Sequence, residues 1–294
     1  MLVMLASLST YAQDVVGKWK LEDGTAIVEV YKQGDVFNGK IVWLENPTED
    51  DGSPAKDGNN PDAKLLYTIP TFQNPTGTTM SLAKRKRLLE LASEYNVMVL
   101  EDNPYGDLRF SGEDVPTLKS LDTDGRVIYA GSFSKILSPG MRLGYIVAPA
   151  ALVEKIEILK QVNDVHTPML TQLMCVEFMK KYNIDDYIAK NCKLYGEKCR
   201  VMLDAMEKYF PEGKVEWTAP EGGIFLWCKC PTIEDITPVV DRCLEKKVAI
   251  VPGSNFATDI TAPSNMFRLN FSSATPEKIE EGVRRLGEAL SELL

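Results

Sequence analysis

A lysine lies among hydroxyl groups in a short connection between two apolar runs, which we predict to be buried strands. The first run ends at Ala130 and the second begins at Gly144. Burying a lysine costs free energy unless the residue has a task, and burial lowers a lysine's pKa. Because a neutral lysine is a nucleophile toward carbonyl groups, the pattern predicts covalent chemistry at Lys135.

Three polar residues of the same connection point to a phosphate. Ser132 and Ser134 supply hydroxyl donors and Arg142 supplies a charged fork. A reactive lysine beside a phosphate site suggests pyridoxal 5′-phosphate, held by Lys135 as a Schiff base. The alternative is an ordinary strand–loop–strand connection with a solvated Lys135 and Arg142, since short motifs often match by chance.

Asp102 stands at the carboxyl end of an apolar run, where open α/β sheets place ligand-binding groups. A carboxylate there could keep the pyridine nitrogen of the cofactor protonated, which makes the ring an electron sink. Tyr105, three residues later, could reach the ring hydroxyl. The alternative for Asp102 is a turn or a helix cap.

Asn74 and Arg268 extend the candidate site to both ends of the chain. Asn74 follows an apolar run inside Asn-Pro-Thr-Gly, so it could bond the ring oxygen of the cofactor or simply form a turn. Arg268 lies within an apolar strand, Phe267–Phe271, where an arginine is usually paired or binds a carboxylate. We therefore predict either a substrate-carboxylate site or a salt bridge at Arg268.

Four blocks stand in one order along the chain: Asn-Pro-Thr-Gly, Asp-Asn-Pro-Tyr, Ser-Phe-Ser-Lys with Pro-Gly-Met-Arg-Leu-Gly-Tyr, and Arg-Leu-Asn-Phe. In these blocks residues 66–294 resemble the fold-type I pyridoxal-phosphate aminotransferases of classes I and II. The branch that contains aminoadipate, kynurenine and aromatic aminotransferases is the most similar. The resemblance implies a homodimer that transfers an amino group between an L-amino acid and a 2-oxo acid.

The resemblance also implies a role for each residue. Lys135 carries the cofactor and moves the proton, with Asp102 and Tyr105 as the other catalytic residues. The residues that bind the cofactor are Asn74, Asp102, Tyr105, Ser132, Ser134, Lys135 and Arg142. Asn74 and Arg268 bind the substrate. The open alternatives are a β-lyase or decarboxylase of the same fold, and a non-catalytic fragment or chimera.

The order of elements predicts the fold class. A helix from Ser81 to Tyr95 between two apolar strands implies a parallel sheet. The resemblance implies a three-layer α/β/α fold, in which residues 65–183 are part of the cofactor-binding large domain. Helical patterns continue to residue 181 with a break at His166–Pro168. A long helix from Asp185 to Phe210 leads into a smaller α+β domain, residues 184–294.

The first residues follow another pattern. Residues 1–13 look like the remnant of a signal peptide, and residues 14–64 predict an antiparallel β meander followed by a polar linker. This part resembles the front half of a small exported β-barrel family of uncharacterised function. We expect no counterpart, in these residues, of the aminotransferase family's N-terminal part, with its glycine-rich phosphate turn and stacking aromatic residue. We expect a join between two family fragments near residue 64.

Composition narrows the function further. A net charge of −9 argues against binding to nucleic acid or to a membrane surface. The single histidine leaves little for a metal site or a histidine-based triad, so we predict no metal. The one basic run, Lys84–Arg87, is expected on the solvated face of its helix. We expect a cytoplasmic location for the aminotransferase-like part, with export left open by residues 1–13.

Overall fold

The computed structural model describes residues 64–257 and 259–294, and before them the backbone of three strands. The signal-like residues 1–13 and the polar linker after residue 45 lie outside the described residues. The three early strands are β1 (Gly17–Lys20), β2 (Ala26–Gln33) and β3 (Val36–Leu44). They pair antiparallel in the order β1-β2-β3, which is the predicted meander.

Residues 64–255 and 263–294 form one compact unit with two sheets. The first sheet contains β4 (Leu65–Thr68), β5 (Met98–Asp102), β6 (Val127–Ser132) and β7 (Gly144–Val147) in that spatial order. Strands β4, β5 and β6 are parallel and β7 runs antiparallel to β6. The predicted α/β architecture with a mainly parallel sheet is confirmed.

Two helices cover one part of this sheet. Helix α1 (Leu82–Glu94) begins after Ser81, whose side chain accepts from the amide of Lys84, and it lies within the predicted bounds. The short helix α2 (Leu118–Leu121) follows β5. A small apolar cluster joins both helices to the sheet; its buried members are Ala92, Val99, Leu118 and Val127.

The expected burial of β7 is wrong. Its four residues are exposed, and so are Leu65, Leu66 and Tyr67 of β4. The reason is position: β4 and β7 are the two edges of the described sheet, whereas β5 and β6 lie between them. An apolar run tells nothing about whether a strand is central or at an edge.

Helix α3 (Phe133–Ile136) lies in the β6–β7 connection. After β7, helices α4 (Ala150–Asp164) and α5 (Met169–Lys181) are separated at His166–Pro168, where the helical pattern is predicted to break. Helix α6 (Ile184–Tyr209) is the long predicted helix. Across the described part of the chain, no helix combines the length and apolar character that a membrane span needs.

The second sheet is antiparallel, with spatial order β10-β11-β9-β8. Its strands are β8 (Glu216–Trp217), β9 (Phe225–Lys229), β10 (Val251–Pro252) and β11 (Met266–Asn270). Helices α7 (Thr237–Glu245) and α8 (Pro276–Leu293) pack with α6 around the largest apolar core. The α+β character expected after residue 184 is present, while the proposed boundary at that residue stays a prediction.

Helices α6 and α8 approach closely at one glycine. A Cβ atom at Gly287 of α8 would lie 2.2 Å from the carbonyl oxygen of Tyr209, the last residue of α6. At Gly282, in the same helix, an added Cβ would meet no atom within 4 Å. The two glycines therefore share a helix but not a packing constraint.

We expect opposite effects from alanine at these positions. Gly282→Ala should raise the free energy of unfolding by up to about 1 kcal/mol through helix propensity. Gly287→Ala should lower it by about 1–3 kcal/mol, because the backbone of Tyr209 cannot move away from the new methyl group. Chemical denaturation of both variants measures the difference, and equal effects would contradict the packing assigned to Gly287.

Candidate functional site

The loop between β4 and α1 carries Asn74 in a tightly bonded turn. The amide of Gly77 donates to the carbonyl of Gln73 at 2.6 Å, and the amide of Gln73 donates to the carbonyl of Thr78 at 2.9 Å. Gly77 has a φ of +68°, which favours glycine. The peptide bond between Asn74 and Pro75 is cis. The turn chemistry predicted for Asn-Pro-Thr-Gly is therefore present, and it presents the Asn74 side chain.

Asn74 and Arg268 meet although 194 positions separate them. Nη1 of Arg268 donates to Oδ1 of Asn74 at 2.6 Å, and the guanidinium lies 4.0 Å from the centre of the Phe225 ring. Burial lowers the pKa of Arg268, because desolvation disfavours the charged form. These contacts orient the guanidinium between an amide and an aromatic face.

Asp102, at the end of β5, accepts a hydrogen bond that the sequence did not indicate. The hydroxyl of Tyr67 donates to Oδ2 of Asp102 at 2.6 Å. Tyr67 lies beside Leu100 in the parallel β4–β5 pair, so Tyr67 and Asp102 share one face of the sheet. Burial and, after it, this bond raise the pKa of Tyr67, which therefore donates as a neutral phenol.

Tyr105, three residues after the end of β5, is buried. Its ring meets that of Phe225 edge to face, with ring centres 5.6 Å apart. Burial raises the pKa of Tyr105, while the charge of Arg268 opposes the shift. Phe225 therefore contacts both Tyr105 and Arg268, and links two residues that were predicted from different parts of the sequence.

The lysine turn forms at the end of β6, on the same edge of the sheet as Asp102. Ser132 caps α3, since its Oγ accepts from the amide of Ser134 at 3.1 Å. Nη1 of Arg142 lies 3.4 Å from Oγ of Ser134. Lys135 is half-buried on α3, and its amino group bonds to none of the described residues. The predicted phosphate donors are thus adjacent, with the lysine among them.

One apolar cluster lies beneath all of these elements. Its buried members come from the Asn74 loop, the segment after β5, α3 and β9; they are Phe72, Tyr105, Leu108, Ile136, Ile224 and Phe225. We call this set the site cluster. Asn74, Lys135 and Arg268 each lie within two residues of, or in contact with, one of its members. The cluster therefore brings the candidate residues together.

Two glycines just before β9 pack closely against Phe72. A Cβ atom at Gly222 would lie 2.1 Å from the Phe72 ring, and Gly223 has a φ of +72°. The ring of Phe72 therefore occupies the space that a side chain at Gly222 would need. Phe72 itself adopts a φ of 50°, uncommon for a bulky residue.

Sequence reasoning did not identify Tyr67, Phe72 or Phe225. Each is an aromatic residue of a kind common in protein interiors, and each contacts candidate or cluster residues that are distant in sequence. For Tyr67 the sequence held no signal, because its proximity to Asp102 depends on the register of the β4–β5 pair, which places Tyr67 beside Leu100.

The arrangement combines an amine, a group of hydroxyl and guanidinium donors, a carboxylate and a second guanidinium. The amine is on Lys135, and the first donor group comprises Ser132, Ser134 and Arg142. Such a set suits a phosphorylated aldehyde together with an amino acid.

The Tyr67–Asp102 bond predicts a change in titration. Asp102→Asn removes the negative charge that opposes ionisation of the phenol, so the pKa of Tyr67 should fall while burial keeps it above 10.0. Because the folded-state pKa is raised, the stability contributed by the protonated phenol is present below pH 10.0 and is lost as the pH rises through the folded-state value.

Phenolate absorbance, measured as the difference between each protein and its Tyr67→Phe counterpart, follows this titration. Tyr95→Phe is the matched control, since Tyr95 is 67% exposed at the end of α1. An unchanged Tyr67 titration in Asp102→Asn would show that the carboxylate does not act on the phenol.

Comparisons with known proteins bear on both parts of the chain. A family model described as aminotransferase class I and II matches residues 55–286. A second family model, of uncharacterized proteins conserved in bacteria, matches residues 17–90, in keeping with the resemblance noted for residues 1–64.

Curated relatives carry aminotransferase names. Aromatic-amino-acid aminotransferase 1 of Thermococcus litoralis is 39% identical over 308 aligned residues, which cover 99% of this chain and 72% of the relative. The 2-aminoadipate transaminase of Thermus thermophilus is 36% identical, and the alignment covers 99% of this chain and 76% of that relative. Against other curated relatives the chain spans only 57% of their length.

A solved structure that superposes on this chain is also that of an aminotransferase. The kynurenine aminotransferase of Pyrococcus horikoshii, solved in complex with PMP, superposes with a TM-score of 0.75 at 44% identity. The match covers 79% of this chain and 57% of that one. The family match includes all eight candidate residues, from Asn74 to Arg268. This chain belongs to the class I and II aminotransferase family.

Proposed function

We propose that this chain transfers an amino group between an L-amino acid and a 2-oxo acid, with pyridoxal 5′-phosphate as its cofactor. The observation that carries the proposal is the convergence on the site cluster of the lysine turn, the Asp102 strand end and the Asn74–Arg268 pair. Each supplies a group that this chemistry needs. The proposal extends to this chain what its relatives are named for.

The donor set fits the cofactor's chemistry. Hydroxyls and a guanidinium at Ser132, Ser134 and Arg142 match the demands of a phosphate dianion. The carboxylate of Asp102, oriented by Tyr67, matches a protonated ring nitrogen. We assign the ring hydroxyl to Asn74 and Tyr105.

Pyridoxal phosphate, when bound, supplies an aldehyde that condenses with amines and a ring that withdraws electrons. The chain's own residues then do the rest. Arg268 binds the α-carboxylate of the amino acid through its guanidinium fork, and Asn74 and Phe225 keep that fork oriented. Nζ of Lys135 removes the proton from Cα of the amino acid as a general base and returns a proton as a general acid.

We further propose that the protein acts as a homodimer. Support comes from α4 and α5, which carry a large exposed apolar surface; it includes Val153, Ile158, Leu159, Val162, Met169, Leu170, Leu173 and Met174. A concentration of exposed apolar side chains on two consecutive helices is typical of an interaction surface. A dimer is also what the family resemblance implies.

The lysine is the first residue to test. With pyridoxal phosphate added, the purified protein should develop an absorption band of bound cofactor that an amino acid bleaches. Lys135→Ala should lose the band and lower the rate of amino transfer by about 10²-fold or more.

Lys278→Ala is the matched control, because Lys278 is exposed at the start of α8. No band in the wild-type protein, or the same band in Lys135→Ala, would contradict the proposal and favour a non-catalytic protein. Analysis of the products separates a transaminase, which forms a new amino acid, from a β-lyase or a decarboxylase.

Arg268→Lys tests the carboxylate site. The lysine keeps the positive charge but loses the fork that binds a carboxylate through two donors. We expect the concentration of amino acid that half-bleaches the cofactor band to rise about tenfold or more. Arg200→Lys, on the exposed side of α6, is the control. An unchanged concentration dependence would place the carboxylate elsewhere.

A further inference from the structure

The basic run Lys84–Arg87 contains a residue whose burial contradicts the sequence expectation. Lys84, Lys86 and Arg87 are exposed on α1 as expected, but Arg85 is fully buried. Among the described residues no carboxylate lies in ion-pair contact with it, although buried Glu101 acts on it through space. A buried cation without a contacting anion needs other hydrogen-bond partners.

Arg85 finds these partners at both ends of one loop. Its Nη2 donates to the carbonyl of Pro70 at 2.9 Å and to Oγ1 of Thr71 at 2.8 Å. Its Nε donates to the carbonyl of Met80 at 3.0 Å. Pro70 and Met80 are also joined directly, since the amide of Met80 donates to the carbonyl of Pro70 at 2.8 Å. One guanidinium thus closes the loop at residues 70–80.

A further bond ties this loop to the rest of the sheet. Nη1 of Arg85 donates to the carbonyl of Pro116, just before α2. Glu101 holds α2 in turn, because its carboxylate accepts from the amides of Leu118 at 2.9 Å and Lys119 at 2.7 Å. The loop is therefore fixed through Pro116 to α2, which Glu101 of β5 holds in place.

The closed loop carries Asn74 at its tip. Turn bonds at Gln73 fix the backbone around Asn74, and Oδ1 of Asn74 accepts from Arg268. A shift of the loop ends would move Asn74 as a rigid unit, because the turn is bonded within itself. The orientation of the Arg268 guanidinium thus depends on where the ends of the loop are held.

We propose that Arg85 is a positioning residue, which fixes the Asn74 loop so that the Asn74 amide meets Arg268. The catalytic consequence rests on the proposed function, whereas the positioning itself is a property of the protein without cofactor. Arg85 acts through Asn74 and does not touch substrate.

Arg85→Lys separates charge from geometry. A lysine keeps the charge but has one ammonium group, which cannot reach Pro70, Met80 and Pro116 as a planar fork does. Thr71→Val is a milder variant that removes one hydroxyl partner of Arg85. Lys198→Met is the control for a lost buried polar contact outside this network, since Nζ of Lys198 donates to the carbonyl of Ser272 at 2.7 Å, and Arg87→Lys is the control on the surface of α1.

Hydrogen–deuterium exchange of the full-length protein without cofactor is the first measurement. Arg85→Lys should speed exchange of the backbone amides of residues 71–80 about tenfold or more, with β6 and β11 unchanged. Thr71→Val should speed it about threefold, and this variant decides the question if Arg85→Lys does not fold. The proposal would be overturned if the loop exchanged at the wild-type rate in both variants, or if Lys198→Met exposed the loop equally.

The guanidinium resonances of Arg268 in nuclear magnetic resonance spectra give a readout that a purely structural role would not move. Arg85→Lys should shift them in the same direction as Asn74→Ala does, and Arg87→Lys should leave them in place. Unshifted Arg268 resonances in Arg85→Lys, with the loop exposed, would reduce Arg85 to a structural residue and overturn the proposal.

Pyridoxal phosphate titration distinguishes this inference from the function it rests on. If the wild-type protein binds no cofactor, the proposed function fails while the exchange and resonance data still decide the role of Arg85. If it binds, Arg85→Lys should reproduce the weaker binding of Asn74→Ala. Wild-type affinity in Arg85→Lys, beside weakened Asn74→Ala, would count against the proposal.

Discussion

The site depends on the burial of one aromatic ring in a space made by a glycine. Phe72 enters the site cluster where any side chain at Gly222 would collide with it. The ring belongs to the Asn74 loop, and the glycine belongs to the segment before β9. This contact helps to join the parallel sheet to the antiparallel one, and the guanidinium of Arg109, 4.7 Å from the centre of the same ring, covers it.

The joint between the sheets is strengthened by polar contacts around its rim. Arg109 pairs with Glu221 at 2.8 Å and with Asp114 at 3.0 Å, and the amide of Gly223 donates to the carbonyl of Leu108 at 3.0 Å. Apolar burial supplies the attraction, and these directional bonds fix the relative position of the two segments. Precise placement of this kind is what a site assembled from distant strands requires.

Local patterns predicted the local structure well. Helix α1 was placed correctly because a capping serine and a regular apolar spacing both occur within one segment. The same segment misled the prediction for Arg85, since four consecutive cations suggest a solvated face. What decided its burial were carbonyl groups at Pro70, Met80 and Pro116, which no local pattern reveals.

Contacts between residues that are distant in sequence were the other feature that the sequence could not predict. The sequence indicated Asn74 and Arg268 separately, but their bond depends on how two sheets meet. Similarly, Asp102 was indicated by its position after a strand, and its partner Tyr67 depends on the register between β4 and β5. Family resemblance supplied residue roles in both cases, whereas the contacts that orient these side chains came from the fold alone.

The reversal of direction at β7 explains why one short segment contains so much of the site. Strands β4, β5 and β6 all end at the same edge of the sheet, which collects Asp102 and Ser132 there. Since β7 runs antiparallel to β6, it must begin at that edge. The connection therefore never leaves the edge, and everything from Ser132 to Arg142 stays beside Asp102. A crossover helix would have carried the chain to the opposite edge and separated Arg142 from Ser134.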